Sequence, residues 1–237
     1  MIGILVQLAI SWLLIWFFEK NNLKVLGLSP TKIRLIDFVL FFLIACLCCA
    51  SGFLLKIYFF KDQWVVNPNL TTELVWEGIW WNVKSVLFEE LIFRGVLLYI
   101  AIKKLGEVKG IILSAVAFGI YHWFSFNAFG NPTTMAFIFL YTGVMGLVWA
   151  YAYAKSKSLY IPIAIHLGWG LIQQVLFSSG PIGNQVLLPG HPKIEVTVSY
   201  FTLYTVQLFP IVFTPLFLYF MLYKFNKSAR WKKVTSS

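Results

Sequence analysis

The run Phe88-Glu89-Glu90-Leu91-Ile92-Phe93-Arg94-Gly95 places two carboxylates and a guanidinium inside an otherwise apolar stretch. Glu90 and Arg94 are four apart, so on a helix they share a face and can pair. Pairing lets both charges be buried together, and taken alone the pair reads as structural. Glu89 is turned about 100° from Glu90 by helical geometry and has no basic residue three or four positions away. Desolvation penalises its charged form, which suits a carboxylate that works as a general base. Two histidines lie in similar surroundings: His122 in Phe118-Gly119-Ile120-Tyr121-His122-Trp123, and His166 in Pro162-Ile163-Ala164-Ile165-His166-Leu167-Gly168-Trp169-Gly170. Gln173 and Gln174 follow about two turns after His166. A carboxylate and two imidazoles converging from separate helices can do two things. Glu89, His122 and His166 can hold a divalent metal such as zinc that activates water. Alternatively, with no cofactor, Glu89 acts as base on a water while the imidazoles polarise a carbonyl and stabilise its oxyanion. Either route hydrolyses an acyl bond. Buried Glu and His also build proton relays, so ion transport is the rival chemistry. The Gly/Pro-broken helices in matching halves that mark transporters are not evident in the sequence.

These side chains need elements that carry them to one place, and composition indicates which. The chain has 237 residues, 59% hydrophobic and 12% charged, whereas soluble domains have under half apolar and roughly a quarter charged. Apolar stretches of about 20 residues recur along it, enough to cross a hydrocarbon core. The spacing predicts seven transmembrane helices, over 2–18, 38–60, 79–102, 111–126, 135–154, 159–177 and 200–223. The fold class is therefore an all-α polytopic helical bundle, because the runs are continuous and lack the short alternation of a barrel. Nothing remains for a second domain. Residues 1–237 read as one integral membrane domain, with a catalytic core over 79–177 and a basic cytoplasmic tail over 224–237. Lys84, Glu89, Glu90 and Arg94 fall in the third span, His122 in the fourth and His166 in the sixth. Ionisable groups there cost about a few kcal/mol each and mark function. Glycines beside both histidines allow close helix approach.

The formal net charge is +10, yet its distribution argues for membrane orientation and against nucleic acid. Lys20, Lys24, Lys32 and Arg34 follow the first span, Lys103, Lys104 and Lys109 the third, and Lys155 and Lys157 the fifth. Lys224, Lys227, Arg230, Lys232 and Lys233 follow the seventh. The opposite side has only Lys56, Lys61 and Lys193. This asymmetry predicts an outside N-terminus and a cytoplasmic C-terminus. The first span lacks a basic leading region and a small-residue cleavage site, so it reads as retained. Cys46, Cys48 and Cys49 sit in one apolar run and read as helix-interface filler. Residues 178–199 read as an outer Gly/Pro-rich loop in which His191 is a solvated side chain, and 127–134 as a shorter loop. A bacterial cytoplasmic membrane is the expected location.

At these residues the sequence resembles the CAAX protease and bacteriocin-processing (CPBP, or Abi) family of intramembrane proteases. The family's first motif, E-E-x-x-x-R, stands as Glu89-Glu90-Leu91-Ile92-Phe93-Arg94, and its second, Phe-x-x-x-His, as Phe118 to His122. The third, His-x-x-x-Asn (or Asp), is met at His166 and departs at Gly170. The likeness covers roughly Lys84 to Gln174. It implies an intramembrane endopeptidase in which Glu89 activates water with help from His122. Glu90 and Arg94 would hold the site together, and His166 would serve the oxyanion. It implies a peptide or small membrane-protein substrate in the lipid bilayer, in keeping with the family's work on prenylated C-termini and secreted peptides. It leaves open whether a metal takes part. Gln173, seven residues beyond His166 and on a similar face, is expected to bring the amide that Gly170 lacks. The alternative is a non-catalytic bacteriocin-immunity or scaffold protein of the same fold.

Overall fold

A computed structural model describes residues 2–178, 185–190 and 196–227. His191, Lys193 and the tail beyond Lys227 lie outside the described residues. The apolar runs form helices: α1 Ile2–Glu19, α2 Lys32–Phe60, α3 Thr72–Glu90, α4 Leu97–Leu105, α5 Glu107–Ser125, α6 Pro132–Ser156, α7 Tyr160–Gly170, α8 Tyr200–Leu208 and α9 Thr214–Asn226. Wider π-helical turns join α3 to α4 (Leu91–Val96) and α8 to α9 (Phe209–Phe213), and another extends α7 (Leu171–Leu176). Among the described residues this makes seven helical rods, an all-α polytopic membrane bundle.

Five rods are long and apolar enough to cross a membrane: Ile2–Glu19, Lys32–Phe60, Glu107–Ser125, Pro132–Ser156 and Tyr200–Asn226. The sixth, Tyr160–Leu176, is apolar and shorter. The seventh carries Glu73, Glu77, Lys84, Glu89, Glu90 and Arg94 between Thr72 and Leu105.

Several helices begin earlier than their apolar runs, because a side-chain cap fixes the start and hydropathy does not. Thr31 accepts from Arg34 N, Thr71 from Leu74 N, and Asn131 from Thr134 N with Pro132 in the first turn. Each cap satisfies an amide that the helix leaves unpaired. Thus α2 starts at Lys32, not Phe38, α3 at Thr72, not Ile79, and α6 at Pro132, not Met135.

The ends of the rods alternate in space. Lys103 pairs with Glu19 and Lys155 with Glu107, drawing four helix ends together at one end of the bundle. At the other end the short strands β1 (Trp64–Val66) and β2 (Leu187–Pro189) pair antiparallel, Trp64 facing Pro189. This ribbon is absent from the all-helix expectation. Three-residue strands carry no periodic signal that a sequence reading can catch.

The core forms where α2, α5, α6 and α7 meet around Phe41, Ala45, Phe118, Trp149, Ile165 and Trp169. The opposite faces of α1 and α2 expose Leu5, Trp12, Leu47 and Leu54, as rods facing lipid do. Close approach of α2 to α7 depends on Gly168, where a Cβ would stand 2.4 Å from the Phe42 carbonyl oxygen.

Two of the helical rods are interrupted by residues that do not keep the α-helical ladder. Gly95 departs from helical geometry with φ −78° and ψ −131°, and close to the break Ser114 of α5 donates to the Phe93 carbonyl at 2.7 Å. In lipid a backbone group freed from its ladder must find such a partner within the protein. Pro210, which has no amide hydrogen to donate, lies in the turn Phe209–Phe213.

Candidate active site

The C-terminal turn of α3 supplies Glu89 and Glu90, and the π turn after it supplies Arg94. Phe118 and His122 come from α5, and His166 from α7. The structure brings all six together.

Glu90 and Arg94 are fully buried, with Arg94 Nη1 3.2 Å from Glu90 Oε1. The same carboxylate oxygen lies 2.8 Å from His166 Nδ1. The sequence reading assigned Glu90 to Arg94 alone, so its contact with His166 is new. The Arg94 guanidinium lies over the Phe118 ring at 4.0 Å and near Trp149 at 5.0 Å, placing its charge on aromatic faces. Position 146 of α6 is glycine where this packing is tightest: a Cβ there would meet Phe118 at 3.2 Å and Arg94 Nη2 at 3.3 Å.

The spacing of the Phe-x-x-x-His motif has a direct physical use. One helical turn separates the two residues, and the Phe118 carbonyl accepts from His122 Nδ1 at 2.8 Å. A carbonyl can only accept, so Nδ1 carries the hydrogen and Nε2 presents its lone pair. That Nε2 lies 3.9 Å from Glu89 Oε2. His166 Nε2 lies 3.9 Å from the same oxygen. Glu89 Oε1 accepts from Ser85 at 3.2 Å, while Oε2 has no hydrogen-bond partner among the described residues. One carboxylate oxygen thus faces two imidazole nitrogens at distances too long for direct hydrogen bonds. On its other side the His166 ring stacks on Trp149 of α6, centroids 4.0 Å apart and planes 20° from parallel.

As placed, this set does not fit a tetrahedral zinc ion. Ligands about 2.1 Å from such an ion stand roughly 3.4 Å from one another, whereas each imidazole here is 3.9 Å from Glu89 Oε2. No three His, Cys, Asp or Glu side chains among the described residues are arranged to hold a metal.

Gln173 sits beside this cluster. Its Oε1 accepts from Trp169 Nε1 at 2.6 Å, and it lines a cavity of about 270 Å³ with Cys49, Phe53, Phe126, Tyr141 and Trp169. Phe126 also stacks on His122, which sets the cavity next to the site.

Three contributors escaped the sequence reading. Ser85 had a signal, lying one turn before Glu89. Asn82 had a weaker one, as a polar residue in a span two turns before Glu89. Trp149 had none, because an aromatic in an apolar helix is indistinguishable from packing.

Residues 71–172 match the family described as type II CAAX prenyl endopeptidase Rce1-like. The matched segment begins at the N-cap of α3, contains all three motifs, and ends one residue before Gln173. No curated protein and no solved structure matches the chain.

Proposed function

We propose that this protein is an intramembrane endopeptidase in which Glu89 is the base, a reading supported by the match of residues 71–172 to the type II CAAX prenyl endopeptidase Rce1-like family. The carrying observation is Glu89 Oε2, buried, unbonded and 3.9 Å from both His122 Nε2 and His166 Nε2. A water can bridge atoms so spaced. Held there, it gives one proton to Glu89 while its oxygen attacks the scissile carbonyl carbon, and the lone pair of His122 Nε2 orients it. His166, held by Glu90 at Nδ1, serves the developing oxyanion from its Nε2 side. When the carbon–nitrogen bond breaks, the proton on Glu89 passes to the leaving nitrogen, giving a carboxylic acid and an amine, and the acid's remaining proton then moves to the amine to leave a carboxylate and an ammonium. Glu90 and Arg94 hold the imidazole in place, Phe118 orients His122, and Gln173 supplies an amide to the adjoining cavity.

The substrate is a peptide or small membrane protein cut at the bilayer, and the family's name directs attention to prenylated C-terminal tails. The membrane is proposed to be a bacterial cytoplasmic one, and the placement of Lys and Arg supports an orientation with the N-terminus outside and the C-terminus in the cytoplasm.

The experiment is cleavage by the purified protein in lipid vesicles, using a prenylated peptide and its unprenylated counterpart, with and without a strong chelator. The wild type cleaves, and the chelator leaves the rate unchanged, in keeping with donors set too far apart for zinc. Activity lost to the chelator and restored by added zinc would replace the water-and-glutamate mechanism with a metal one. A folded wild type that cuts neither peptide would favour the non-catalytic alternative, for which Gly170 is the specific observation.

A further inference from the structure

Position 170, where the third motif departs from its family, lies directly against a polar side chain of another helix. The residues of α3 that are buried recur every four positions: Gly78, Asn82, Val86 and Glu90. Glu90, at one end of this stripe, meets His166 of α7. Asn82, two turns earlier, meets α7 as well: its Nδ2 donates to the Leu167 carbonyl at 3.1 Å. Asn82 is 3% exposed. A Cβ on Gly170 would stand 2.1 Å from Asn82 Oδ1 and 3.0 Å from its Cγ. The carboxamide therefore fills the space where a side chain at 170 would begin. Asn82 and any larger residue at 170 exclude one another.

We propose that Asn82 carries on α3 the amide that the third motif would carry on α7, and that Asn82 and Gly170 form a matched pair positioning His166 against Glu89. This rests on the endopeptidase reading of the site. Asn82 is a positioning residue. It bonds the carbonyl next to His166 while Glu90 bonds the imidazole, so α7 is pinned to α3 at two points and cannot roll without breaking one. Burying an amide in a membrane span, with Oδ1 lacking a hydrogen-bond partner among the described residues, is unfavourable, and an aliphatic residue would pack there without that cost. Gln173, the amide expected from the sequence, has its oxygen bonded to Trp169.

The test compares four full-length forms: wild type, Asn82→Ala, Gly170→Asn, and the exchange Asn82→Gly with Gly170→Asn. Each is measured for kcat and KM and by nitrogen-15 histidine NMR. Asn82→Ala lowers kcat about 10- to 100-fold with KM within about twofold, the scale of a small misplacement of a reacting group. Its His166 Nδ1–H resonance also moves. Gly170→Asn alone, with two amides in one space, is poorly folded or at least as impaired. The exchange recovers about tenfold or more over Gly170→Asn and returns the resonance towards its wild-type position. Wild-type kcat and an unmoved resonance in Asn82→Ala would overturn the pairing, as would a folded exchange form no better than either single variant. If the wild type itself cleaves nothing, the protease reading fails, and the resonance alone decides whether the pair positions His166.

Discussion

Glu89→Gln leaves a folded protein whose kcat is lower by a factor of about 10⁴, the upper range for a general acid–base. Glutamine keeps the shape of the side chain and can still accept from Ser85, but it cannot take a proton from water. Nor does it unpair another group, because Glu89 Oε2 has no hydrogen-bond partner among the described residues. Removing a partly buried carboxylate that bonds only one hydroxyl relieves desolvation, so the melting temperature stays level or rises. Catalysis and stability should therefore separate cleanly at this position. Single-turnover cleavage and a thermal melt on the same preparation measure both. A glutamine form keeping a tenth of wild-type kcat would remove Glu89 from the role of base.

Arg94→Met acts the other way, destabilising the bundle by about 3–5 kcal/mol, as removing one member of a buried ion pair does. Glu90 is fully buried and would keep only His166 as a polar partner. The guanidinium also fills space against Phe118 and Trp149, a volume that methionine occupies in part. Replacing both partners, as Glu90→Gln with Arg94→Met, removes the stranded charge and recovers much of the loss. Thermal melts of the wild type and the two variants in one detergent provide the comparison. A double variant melting no higher than Arg94→Met would show that the loss comes from packing and not from an unpaired carboxylate.

Much of this architecture was legible because a membrane amplifies contrast. In a chain so apolar, Glu89, Glu90, Arg94, His122 and His166 stand out by type alone, and the structure draws them into one cluster. Span positions followed from hydropathy to within a few residues, except at the starts of α2 and α3. In α3, Thr72–Gly78 is polar enough to read as loop although Thr71 caps it into the helix. The finer arrangement was hidden for a different reason. Contacts such as Asn82 with Leu167, 85 residues apart, or Trp149 with His166 depend on how rods are rotated against one another. Nor does the local sequence mark the π turn at Leu91–Val96, where only Gly95 is a hint. Looking for the amide that Gly170 lacks only further along the same helix, at Gln173, was the natural result of treating a motif as a string, when Asn82 of a neighbouring helix occupies the space beside Gly170.

The stack of Trp149 on His166 also makes the site visible to light. An excited indole in face contact with an imidazolium passes an electron to it and goes dark, whereas a neutral imidazole quenches weakly. Trp149 is one of ten tryptophans, and among the described residues it is the one whose ring lies flat against His166. Its emission, taken as the difference between wild type and a Trp149→Phe form, reads out the charge on His166 in the intact, unlabelled protein, whether or not a substrate has yet been found.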